Sequence, residues 1–166
     1  MSFDGPQMGI ASIPKITCGS FCEWLCNITA SLAYNLRDIV APCGYYKYKF
    51  DQETYHKTNT FLKMLNNEDE RDEEVYRRFS SLEKVKLIKS LEDTVITPRD
   101  SSWFEFYDKE GKDIVPLKES EFYINDNIGL RKLDEEGKVS FVAFQEEHIL
   151  YNMDEYNNEI VEFFKD

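Results

Sequence analysis

Long apolar runs are missing from this 166-residue sequence; the uninterrupted ones extend over only a few residues. A bilayer-spanning helix needs about 20 consecutive, mostly apolar residues, so no transmembrane segment is expected. Positive charge is also scarce. Lys and Arg number 20 against 32 Asp and Glu, a formal net charge of −12, and phosphate backbones repel a polyanion of that balance. Nucleic acid is therefore not expected as a partner. Histidine is limited to His56 and His148, and neither lies near the cysteines in a zinc-binding spacing. No metal and no cofactor is expected. The opening MSFDGPQMGIASIPK has no charged-then-apolar leader of the kind a signal peptide carries. What the chain does have is material for a core: 42% apolar and 14% aromatic residues. A disordered chain is poor in such groups, so a packed globular domain of ordinary size is expected.

All four cysteines, Cys18, Cys22, Cys26 and Cys43, lie early in the chain. The first three fall on one face if their stretch is helical. Two readings stay open for them: small buried hydrophobes, or disulfides of an oxidising compartment. Asn27-Ile28-Thr29 is a glycosylation acceptor triplet and leans toward the second. That hint conflicts with the missing leader, so either the protein is cytosolic or its true N-terminus precedes Met1.

Residues 1 to 17 read as a loop with short extended pieces. From Cys18 to about Ala41, apolar residues recur at helical spacing and stop at Pro42 and Gly44. Asp51 is placed to cap a short helix through Tyr55. The acidic run 68–74 reads as a solvated loop entering a helix that presents Val75, Tyr76, Phe79 and Leu82. Near Lys84 the texture changes to β-branched, strand-length pieces. One contains Val85, Leu87 and Ile88 and ends at Asp93; Val139–Phe144 is the clearest. Two Gly-containing turns, 108–112 and 136–138, read as hairpin turns. A closing helix over about Met153–Phe164 presents Tyr156, Ile160, Phe163 and Phe164. An α-rich first half thus precedes a strand-rich second half.

Asp93 follows one expected strand directly, and His148 lies in a loop shortly after another. Open α/β sheets place active sites at the carboxyl ends of strands, and α/β-hydrolases order their triad Ser, Asp, His along the chain. Asp93 and His148 fit that order, although a solvated loop histidine among glutamates satisfies it equally. His56 reads as a surface helix residue.

The segment Leu91–Tyr107, with its Pro-x-Asp-Ser-x-Trp-Phe-x-Phe-Tyr core at 98–107, resembles the palmitoyl-protein thioesterases. The likeness continues through Val115-Pro116-Leu117, Tyr123–Leu130 and Leu133–Phe141 to His148. Upstream, Gly9–Pro14, Cys22, Tyr34, Tyr55, Phe61 and Leu62 also fit. The resemblance implies the C-terminal portion of an α/β-hydrolase fold. Residues 1–83 would be a helical lid insertion forming part of the acyl groove, and residues 84–166 the last sheet strands and closing helix. It implies Asp93 as triad acid, His148 as triad base, and Val95 and Ile96 as groove residues. Substrates would be S-acylated proteins or peptides and acyl thioesters, in a lysosomal or secreted setting, with no cofactor. The family's Gly-x-Ser-x-Gly elbow does not occur here; Cys18-Gly19-Ser20-Phe21 is the nearest fragment. The first strands and the oxyanion loop are also unmatched. The expectation is a chain lacking the nucleophile half and the leader that would go with it, inactive by itself. The alternative is a non-catalytic acyl-binding or regulatory isoform.

Overall fold

The computed structural model describes residues 1–12 and 41–165. The helix expected from Cys18, the thiols Cys18, Cys22 and Cys26, and Asn27 lie outside the described residues. Ala41–Gly44 (α1) is helical. Cys43 is buried with a free thiol, the first of its two readings, and burial pushes that thiol's pKa up.

Three parallel strands form the main sheet, in the order β1 (Ser2–Phe3), β2 (Val85–Ser90), β5 (Val139–Phe144). β2 is central. Its Val85, Leu87 and Ile88 are buried, as a strand covered on both faces requires. Its register against β5 is unbroken from Val85↔Val139 to Ser90↔Phe144. The textural change near Lys84 marks the longer strands, but the sheet crosses that boundary, because Ser2 and Phe3 pair with Leu87 and Ile88. A parallel sheet with helices is compatible with an α/β-hydrolase-like fold.

Helices α2 (Gln52–Thr58), α3 (Phe61–Leu65) and α4 (Glu73–Ser80) precede β2. Asp51 caps α2 by accepting from Thr54 N–H at 3.0 Å, and Asp72 caps α4 by accepting from Glu74 N–H at 2.8 Å. The acidic run therefore ends as expected, with carboxylates at the positive end of a helix.

Between β2 and β5 the strands are shorter than the composition predicts. Only Phe106–Tyr107 (β3) and Ile114–Val115 (β4) pair, antiparallel, about the turn at 108–112. Arg99–Trp103 winds into a 3-10 turn, and Glu121–Ile124 (α5) is a helix because Ser120 caps it, accepting from Tyr123 N–H. The second Gly turn is not a hairpin. It ends helix α6 (Leu130–Glu135): Gly137 N–H donates to Asp134 O and Lys138 N–H to Leu133 O. That pairing is a Schellman motif, with Gly137 at φ +70 supplying the left-handed residue. Helix α7 (Met153–Phe164) closes the described chain; Tyr156, Ile160 and Phe163 are half-buried, but Phe164 is exposed, one position off their face.

The segment that carries the family likeness works as a clasp. Ser101 Oγ accepts from Met8 N–H at 3.0 Å, and Trp103 Nε1–H donates to Leu87 O at 3.2 Å. Asp100 pairs with the buried Lys89 at 2.8 Å, while the Lys89 ammonium stands 3.7 Å from the Trp103 ring centroid. Phe104, at φ +62, stacks on Phe122 with centroids 5.1 Å apart. The start of the chain, the central strand and α5 are thereby joined around one core, in which Leu130 and Leu133 are almost fully buried.

Gly129 begins α6 at φ +89, and a Cβ built there would lie 2.4 Å from Ser80 Cβ of α4. Gly129→Ala is expected to lower the unfolding free energy by about 1–3 kcal/mol, read as a lower urea midpoint. Gly137→Ala meets no atom within 4 Å and should lose only the left-handed backbone cost, about 1 kcal/mol.

Candidate active site

The parallel register of β2 and β5 brings their carboxyl ends out together. Pairing continues past both strands: Leu91 N–H donates to Phe144 O at 2.8 Å and Glu92 N–H to Glu146 O at 3.0 Å. Asp93 and His148, 55 residues apart in sequence, follow directly, and His148 Nδ1 lies 2.8 Å from Asp93 Oδ2. The Asp93 side chain is 1% exposed and that of His148 20%. Asp93 Oδ1 accepts from Val95 N–H at 2.7 Å and from Ile96 N–H at 2.9 Å. Both oxygens of the buried carboxylate are thus engaged, which offsets the cost of removing it from water.

A carboxylate only accepts, so Nδ1 carries the proton of this bond. The neutral imidazole then keeps Nε2 as its free acceptor, the arrangement a general base needs. Val95 and Ile96 contribute their backbone N–H groups to Asp93; Ile96 is buried and Val95 half-buried. His56, on the exposed side of α2, lines a cavity apart from this pair, and partial desolvation, then the charge of Lys47, lowers its pKa.

Two further residues were not found by sequence reasoning. Asp4, at φ +44 just past β1, is buried, and its Oδ2 lies 3.9 Å from His148 Nδ1. Tyr151 donates its O–H to Asp4 Oδ2, and burial together with that bond pushes its phenol pKa well up. The available signal for Asp4 was the one that marked Asp93, an acid just past a strand, but two residues are too short a strand to read. Among the described residues, Asp4, Asp93 and His148 present ligand-type atoms all within 4.8 Å of one another. All four carboxylate oxygens already accept protein N–H or O–H groups, so the set reads as a hydrogen-bonded cluster.

A cavity of about 620 Å³ lies elsewhere, walled by Met8, Phe104, Phe106, Tyr107 and Phe122 and rimmed by acids including Glu68, Asp69 and Glu121. Neither member of the Asp93–His148 pair lines it, nor do Val95 and Ile96. Lys47, 5% exposed, reaches its wall with the ammonium 4.6 Å from the Tyr55 ring centroid and 4.9 Å from that of Phe106. Burial lowers its pKa, and the charge of Glu68 opposes that shift.

Known proteins similar to this chain include several thioesterases. Palmitoyl-protein thioesterase 3 of Dictyostelium discoideum is 28% identical over 160 residues, covering 94% of this chain and 54% of its own length. Palmitoyl-protein thioesterase 1 of Caenorhabditis elegans is 38% identical over 98 residues, 58% of this chain and 33% of its own. Lysosomal thioesterase PPT2 of Mus musculus is 30% identical over 149 residues, 84% of this chain and 47% of its own. The chain thus spans about a third to a half of the length of these curated relatives. The family model described as palmitoyl protein thioesterase matches residues 1–148, from the first sheet strand to the histidine bonded to Asp93, and the chain belongs to that family.

Proposed function

We propose that this chain supplies the acid and base of a serine-dependent thioesterase that removes long-chain acyl groups from protein cysteines. The observation that carries the reading is the buried Asp93–His148 bond at the carboxyl ends of two parallel strands. A serine hydroxyl presented to His148 Nε2 gives up its proton there as its oxygen attacks the thioester carbonyl. Asp93 holds the ring and stabilises its cation. Collapse of the tetrahedral intermediate breaks the C–S bond, and the leaving thiolate takes the proton from Nε2. Water then repeats the sequence on the acyl-serine, releasing the fatty acid and restoring the serine.

No Gly-x-Ser-x-Gly occurs in the 166 residues, so in this reading the serine comes from sequence outside them and the isolated chain does not turn over. The part of residues 1–83 that follows β1 acts as the lid, because β1 itself belongs to the sheet, with Val95 and Ile96 against the acyl chain. The relatives named lysosomal thioesterases support a lysosomal or secreted location.

In the protein that joins this chain to its serine, Asp93→Asn and His148→Ala are each expected to lower kcat on a palmitoyl thioester by about 10⁴-fold or more. The 166-residue chain alone should show no turnover. Hydrolysis by the isolated chain that survives His148→Ala would sink the proposal.

A second reading, acyl binding without turnover, draws on the aromatic-walled cavity of about 620 Å³, a size common for ligand sites. It predicts saturable, stoichiometric binding of a palmitoyl ligand in an equilibrium titration. Absence of binding by a chain that melts cooperatively removes it.

A further inference from the structure

We infer that Asp4 is a positioning residue for His148: its carboxylate ties the turn carrying the imidazole to the carboxyl end of β2 and so sets the ring against Asp93. This rests on the reading of Asp93 and His148 as acid and base.

The Asp4 side chain is 0% exposed and accepts four hydrogen bonds from two directions. Ser90, the last residue of β2, donates its N–H to Oδ1 at 2.7 Å and its hydroxyl to Oδ2 at 2.8 Å. From the other side, Ile149 N–H donates to Oδ2 at 3.1 Å, and so does the Tyr151 hydroxyl. One carboxylate therefore bridges the strand that leads to Asp93 and the turn that bears His148. Asp4 is itself held, because its N–H donates to Ile88 O at 3.0 Å.

The turn needs such a tie. Ile149, the residue after His148, sits at φ +58, in the left-handed region that a β-branched side chain occupies only at a cost. Strain of this kind persists where the surroundings over-determine it. Here the strained residue's N–H points into Asp4, and Tyr151 is lodged among Phe3, Phe144 and Tyr156 at centroid distances of 5.4, 5.4 and 5.5 Å. At 3.9 Å from His148 Nδ1, Asp4 is beyond hydrogen-bond reach of the ring. It acts on the imidazole through Ile149 and Tyr151 and does not replace Asp93.

The test is proton NMR of the ¹⁵N-labelled 166-residue chain, following the His148 Nδ1–H resonance and its exchange with water. Wild type should show a slowly exchanging Nδ1–H, and Asp93→Asn should weaken or abolish that protection. Asp4→Asn keeps the shape but cannot accept from both sides. It is expected to speed Nδ1–H exchange about tenfold or more, the equivalent of about one lost hydrogen bond, with the amides of β2 and β5 unshifted. If Asp4→Asn does not fold, Tyr151→Phe removes one tie and should shift exchange the same way by a smaller factor. Protection lost in Asp93→Asn but unchanged in both of the other variants overturns the role of Asp4. Protection unchanged in Asp93→Asn as well overturns the acid–base pair beneath it.

Discussion

The unbroken parallel register between β2 and β5 is the constraint on which the rest depends. Side chains alternate across a strand, so a slip of one residue would move the apolar set of β2 to the wrong face and send Asp93 away from His148. Pairing runs from Val85↔Val139 to Ser90↔Phe144 and then past the strand ends. Everything between the two strands, from the 3-10 turn at Arg99–Trp103 to α6, has to close a path that returns the chain parallel to itself. The Schellman turn at Gly137 ends α6 and delivers Lys138, whose carbonyl accepts from Val85 N–H at 2.8 Å, to the start of that register.

Buried charge in this acidic chain is handled by assigning each group a specific neighbour. Lys89 has Asp100 and the face of Trp103. Lys63 has Asp69 at 2.6 Å. Lys47 has two aromatic faces, a weaker partner that goes with a lowered pKa. Asp93 and Asp4 each accept from two main-chain N–H groups, which cost no side-chain entropy to aim, and Asp4 also accepts from the Ser90 and Tyr151 hydroxyls. This contrast fits the roles drawn for them. Ion pairs hold Lys89 on the central strand and Lys63 on α3, while Asp93 and Asp4, at the carboxyl edge of the sheet, are held by hydrogen bonds that include backbone N–H groups.

Much of this was legible in the chain. The strand Val139–Phe144 and the helix Met153–Phe164 fall on the residues their periodicity marked, Asp51 caps its helix as its position suggests, and the acidic run leads into a helix start, where Asp72 proves to be the cap. Asp93 and His148 could be named because each follows a strand, but their contact could not be read from spacing: it is a consequence of register. The failures share a cause. The turn at 136–138 has the same Glu-Gly-Lys composition as the hairpin turn, and only the helix before it decides what it becomes. The aromatic stretch from Trp103 becomes a strand only at Phe106, because Ser101, Asp100 and Trp103 are committed to tertiary bonds in the 3-10 turn before it. Asp4 was invisible because a two-residue strand has no periodicity.

The clasp at 98–107 is also distinct from the Asp93–His148 pair proposed for the chemistry. That segment carries the likeness most specifically, yet its Ser101, Trp103 and Asp100 are spent on Met8, Leu87 and Lys89. Its effect on the site is indirect: by fixing Met8 and β2 it fixes the path of residues 1–12, and hence of Asp4. Asp93, His148 and Asp4 are therefore all set by contacts within the described residues. None of those contacts calls on a serine, so the pair can stand preformed before any nucleophile reaches it. In the proposed thioesterase, such preorganisation would make His148 effective as a general base, because little rearrangement is left for the moment of reaction.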